Sequence, residues 1–130
     1  MKGEIIVAEA VSLNQDGTFS LLRGGIDRVW PPAEGRPIVF RGGLVFRMVA
    51  GPTELRRHEF RILFVNEDGK PFAPEISGNV DFTTPGGAVM ALGELQLIFP
   101  KPGRYVIAAH VDQQEIASYT LTALESPPKK

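Results

Sequence analysis

Apolar and polar side chains alternate with a period of two through most of this sequence, in short runs that glycine, proline or an Asp-Gly pair cuts off. Such a period sends successive side chains to opposite faces of an extended strand, whereas a helix needs apolar residues three and four apart. The clearest run spans 58–65, where Phe60, Ile62 and Phe64 share one face and Glu59 and Arg61 the other. It leads into Asn66-Glu67-Asp68-Gly69-Lys70, whose Asp-Gly supplies the positive φ of a tight turn, so a hairpin to a strand over 74–82 follows.

The same reading predicts strands over 5–11, 19–22, 38–49, 94–99, 104–111 and 117–122. Asn14-Gln15-Asp16-Gly17 and Pro100-Lys101-Pro102-Gly103 read as turns, and Gly42-Gly43 as a bulge or bend inside the third strand. The last two strands form a terminal hairpin across 112–115; Gln113-Gln114 are poor at positive φ, so its turn geometry stays open. Ala88-Val89-Met90-Ala91-Leu92 is a short run of good helix formers and reads as a strand or a helical turn.

Fourteen glycines and 11 prolines in 130 residues leave almost no room for long helices. The expected fold is all-β, an antiparallel two-layer sandwich of about eight strands rather than a set of βαβ units. It is immunoglobulin-like because Tyr105, two residues after Gly103 at the start of the penultimate strand, stands where a tyrosine corner is found. A chain of this length supports one core, so residues 1–125 are read as a single domain and 126–130 as a flexible tail.

Several function classes drop out. A net charge of −1 offers no field for nucleic acid or an anionic membrane, and the absence of cysteine removes disulfides, thiolate metal sites and thiol catalysis. The N-terminal apolar run Ile5-Ile6-Val7-Ala8 is too short for a secretory signal, and no stretch approaches a membrane span, so the expected location is the cytoplasm. None of Ser12, Ser20, Ser77, Ser118 or Ser126 lies in a Gly-x-Ser-x-Gly elbow. Glu9 with Asp16, or Asp81 with Asp112, are carboxylate pairs of the kind any chain with fifteen acids offers.

Other groupings have one reading with chemistry and one without. His58, His110 and Asp112 offer three metal ligands if their strands pair, but without a spacing signature they read as exposed strand residues, and neither metal nor cofactor is expected. Arg41, Arg47, Arg56, Arg57 and Arg61 read as a solvated face balanced by acids including Glu54 and Glu59, not as a nucleic-acid patch. Gly24-Gly25 and Gly86-Gly87 open no helix and read as bulges or turns. The most distinctive segment is Gly24-Gly25-Ile26-Asp27-Arg28-Val29-Trp30-Pro31-Pro32, which holds the single tryptophan. Trp30 is either an aromatic platform with Asp27 and Arg28 as polar neighbours, or a plug for one end of the sandwich.

Two stretches carry a family resemblance. Ala8 to Val11 with Asp16 to Pro31, and Phe99-Pro100-Lys101-Pro102-Gly103-Arg104-Tyr105 with Val111-Asp112, resemble a family of small uncharacterised bacterial β-sandwich proteins. There an N-terminal strand precedes a Leu-Leu-x-Gly-Gly-x-Asp-Arg type segment and a Pro-Gly-x-Tyr hairpin closes the chain. The resemblance implies a fold and no activity, and Asp112-Gln113-Gln114-Glu115 departs from the Asp-Gly-Glu it would lead to. The functional expectation is therefore a non-enzymatic binding or assembly module whose sheet face or edge meets a protein partner or a further copy of the chain. The alternative is a binder of small ligands or carbohydrate at Asp27, Arg28 and Trp30.

Overall fold

A computed structural model describes residues 1–128. Nine strands run β1 (Lys2–Leu13), β2 (Phe19–Gly24), β3 (Arg28–Val29), β4 (Ile38–Ala50), β5 (Arg57–Asn66), β6 (Pro71–Asp81), β7 (Gly86–Phe99), β8 (Gly103–Val111) and β9 (Gln114–Ala123). They form a four-stranded sheet in the order β2-β1-β4-β7 and a five-stranded sheet in the order β3-β9-β8-β5-β6. The fold is thus the expected sandwich, and its longer strands keep an immunoglobulin-like arrangement. β1, β4 and β7 make one layer, and β5, β8 and β9 the facing one with β6 added at its edge. The only helical turn among the described residues is a 3-10 turn over Pro52–Glu54, and no helix is long and apolar enough to cross a membrane.

Alternation explains the core directly. Ile5 and Val7 from β1, Leu44, Phe46 and Met48 from β4, and Leu95, Leu97 and Phe99 from β7 meet Phe60, Ile62 and Phe64 from β5 and Tyr105 and Ile107 from β8 in one apolar cluster. The tyrosine corner is present. Tyr105 Oη donates to the Lys101 carbonyl at 2.6 Å, and its ring packs edge-on against Phe72 and Phe99, with centroids 4.6 and 4.9 Å away.

Three details differ from the expectation, while the bulge at Gly42-Gly43 is found where it was expected. Residues 88–92 are neither a helical turn nor a separate piece, because Ala88, Met90 and Leu92 pair with Met48, Phe46 and Leu44 and continue into Phe99 as one 14-residue strand. Helix propensity over five residues does not cover the cost of nucleation, and packing against β4 decides. The extra strand is β3, two residues long and parallel to β9. At the bulge, Gly42 faces Leu95 and Leu44 faces Leu92, so β7 contributes two residues, Gly93 and Glu94, where β4 has only Gly43. A Cβ on Gly43 would come within 2.5 Å of the Val11 side chain, so glycine is needed for β1 to pass this close.

The last difference is the β8–β9 turn. It is formed by Asp112 (φ 50°) and Gln113 (φ 70°) between paired Val111 and Gln114, one residue earlier than Gln113-Gln114. Two positive φ angles match a primed turn, whose twist suits the flanking strands. Of the predicted tail, Lys129 and Lys130 lie outside the described residues.

Candidate functional site

The segment from Gly24 to Pro32 is fastened to the sandwich by its backbone. Gly25 (φ 85°) turns the chain so that its N–H and that of Ile26 both donate to the Val7 carbonyl, at 2.9 and 3.0 Å. The hydroxyl of Tyr119, whose pKa burial pushes up, donates to the Ile26 carbonyl at 2.6 Å. Thr122 and Leu124 N–H groups then reach the Asp27 and Val29 carbonyls, both at 2.8 Å, and so build β3.

That fastening decides which side chains face water. Val29 is buried and closes this end of the sandwich, the part the sequence offered to Trp30, while Trp30 is 39% exposed. Asp27 and Arg28 form an exposed ion pair at 3.7 Å. Asp27, Arg28 and Trp30 do come together, along an open groove of about 330 Å³ that Arg23, Gly25 and Pro128 also line. On its other side Trp30 shares a second depression, of about 390 Å³, with Pro31, Pro32 and Pro127. The arrangement offers an aromatic surface with one solvated ion pair and no enclosed cavity.

The histidines separate. His58 is not an exposed strand residue: it is buried, and it is the one buried polar side chain among the described residues. Its Nδ1 lies 2.6 Å from Asp112 Oδ2 and its Nε2 lies 2.7 Å from the Glu54 carbonyl, so both ring nitrogens face acceptors. Asp112 Oδ1 also accepts the Glu59 N–H at 3.1 Å, and Arg56 lies 3.2 Å from Oδ2. The hydrogen bond from His58 comes first among the causes that hold the Asp112 carboxyl below its ordinary pKa. The Glu54 carboxylate is similarly lowered, chiefly by the Gly51 N–H. His110 stands apart, 3.9 Å from Glu115, and no group of three metal-ligating side chains occurs among the described residues. This cluster ties the β4–β5 connection to the β8–β9 turn.

The arginines split between the sheets. Arg41 and Arg47 lie on β4, whereas Arg57 and Arg61 on β5 are matched across to β6 by Asp81 at 3.0 Å and Glu75 at 2.6 Å. No single basic face results. The acids paired with them are Asp81, Glu75 and Asp112, and Glu59 adds its charge at Arg61; Glu54 instead lies 2.6 Å from the Met1 amino group.

Sequence reasoning passed over the free edge of β7. Among the described residues β7 pairs only with β4, and no other backbone hydrogen bond engages residues 87–98. An unpaired strand edge invites another strand, and proteins guard such edges with charge, proline or brevity. β6, the long edge of the other sheet, has Pro71, Pro74, Glu75 and Asp81; β3 has two residues; β2 has six, including Arg23. β7 has 14 residues with a single charge, Glu94, and no proline. Its stretch from Ala88 to Leu92 is half-exposed at every residue. A 14-residue run without proline was the available signal, but dividing it at Gly93 concealed its length.

A family model described as a family of unknown function (DUF6941) matches residues 4–124. No curated protein and no solved structure matches the chain.

Proposed function

We propose a function for this chain, which belongs to the family of unknown function DUF6941, from its own geometry: it is a non-enzymatic assembly module that accepts an extended strand along the free edge of β7. The observation that carries this reading is the contrast between edges. On its outer edge β7 leaves six residues, Gly87 to Leu92, unpaired and without charge or proline, while each other edge is short or guarded. In strand addition the main chain supplies affinity and the side chains on alternate positions supply selectivity. Residence in the cytoplasm of a bacterial cell belongs to the same proposal.

Selection of random 12-residue peptides displayed on phage tests it, with Ala91→Lys as the blocked form. Ala91 pairs with Val45 on the outer face, so a lysine there guards the edge without entering the core. The reading expects peptides of alternating apolar pattern that bind the natural chain and lose at least tenfold in affinity to Ala91→Lys. Peptides that bind both forms equally overturn it.

A second reading rests on Trp30. An exposed indole between two depressions lined by Pro31, Pro32, Pro127 and Pro128 presents the aromatic surface that proline-rich or sugar ligands use. Quenching of Trp30 fluorescence by a panel of proline-rich peptides and oligosaccharides tests it; an unchanged spectrum with every member of the panel removes it.

A further inference from the structure

We infer that the strand accepted by β7 is the β7 of a second copy of this chain, laid antiparallel about a two-fold axis near Met90. The inference rests on the strand-addition reading above and names its partner. Two unpaired charges support it. Among the described residues neither Arg47 nor Glu94 has an ion-pair partner within 4.0 Å, although Glu4 stands opposite Arg47 in the β1–β4 register. The Arg47 guanidinium instead leans over β7, where a Cβ on Gly87 would lie 3.1 Å from Nη2. The positive charge therefore sits at one end of the uncharged strip and Glu94 at the other.

An isologous antiparallel pair reverses one strip against the other. Opposite residues must share a face, so the axis passes through a residue rather than between two. With Met90 facing its own copy, Val89 faces Ala91 and Ala88 faces Leu92. At the bulge Gly93 and Glu94 share one position, so Glu94 faces Gly87 of the second copy, which that copy's Arg47 overhangs. Symmetry makes that contact twice. No charge meets its like, Ala88 and Ala91 face the larger Leu92 and Val89 on either side of the paired Met90 residues, and the two four-stranded sheets join into one of eight strands. A partner with charge anywhere in its central six residues would lose this fit.

Light scattering after size exclusion, across a hundredfold range of concentration, tests the inference. The natural chain is expected as a dimer, and Ala91→Lys as a monomer whose melting temperature matches that of the natural chain at dilutions where it too is monomeric. Arg47→Glu and Glu94→Arg should each weaken the dimer at least tenfold, and the double variant Arg47→Glu/Glu94→Arg should restore it, which a merely structural role for either residue would not do. The chain lacks cysteine, so Met90→Cys should cross-link two copies and Ile98→Cys should not. A monomer at every concentration, with peptide binding still blocked by Ala91→Lys, overturns the second copy and leaves strand addition standing. A dimer that Ala91→Lys does not disturb, or single charge variants with no effect, overturns the inference; if peptide binding is also insensitive to Ala91→Lys, both readings fall.

Discussion

His58 and Asp112 work as one unit, because each nitrogen of the buried ring lies within hydrogen-bond distance of an acceptor and the Asp112 carboxylate, at the head of the turn, also accepts the Glu59 N–H. The Asp112 carboxyl binds its proton less tightly in the folded chain than in the unfolded one, the His58 contact being the leading cause. The stability this contributes is present above about pH 5 and is lost as pH falls below about 4, through the folded value. Acid melts should show the natural chain losing stability over that interval, with a shallower slope for Asp112→Asn. Next to it, Gln113 holds φ at 70° without glycine's freedom and with its side chain in water. Gln113→Gly should therefore stabilise the fold by about 0.5–1 kcal/mol, read as a shift in the urea midpoint at constant slope.

At the scale of elements, the turn into β8 depends on Tyr105, which spans the connection from β7 with a hydroxyl that donates to the Lys101 carbonyl and accepts the Lys101 N–H, and with a wall of aromatic contacts. Tyr105→Phe keeps the ring and leaves the Lys101 carbonyl without its donor, so a loss of about 1–1.5 kcal/mol is expected in equilibrium unfolding. This corner is legible in the sequence, since Pro102-Gly103-Arg104-Tyr105 encodes it locally. So are the amphipathic strands β5, β8 and β9, each of which carries its own alternation. β7 is not. Its first half is apolar on both faces, Val89 and Ala91 outward and Met90 and Leu92 inward, and a run without alternation carries no period to read. β3 was equally hidden: two residues hold no pattern, and their pairing depends on Thr122 and Leu124, more than ninety residues away. The same reason kept His58 among the exposed residues, because its acceptors come from Glu54 and from Asp112 on a distant turn.

For the molecule as a whole, the candidate sites divide by what could be read locally. Asp27, Arg28 and Trp30 are close in sequence and line one groove, as their segment suggested, yet their fastening needs Val7, Tyr119 and Thr122 from other strands. The free edge is a property of topology alone; it exists because β6 and β7 close the same side of the sandwich in different sheets. A net charge of −1 gives little long-range repulsion between copies, so the proposed association would depend on short-range complementarity at Arg47 and Glu94. Edge guarding should accordingly change association and leave folding alone: Ala91→Lys is expected within about 0.5 kcal/mol of the natural chain in stability when both are diluted to monomers.

Amide hydrogen exchange across Gly87–Leu92, followed from dilute to concentrated protein, bears on this edge most directly. Protection at alternate amides of β7 should grow with concentration and vanish in Ala91→Lys, while β2 and β6 stay unchanged. Exchange in β7 that is independent of concentration, with protection appearing at β2 or β6 instead, would contradict the assignment of this edge.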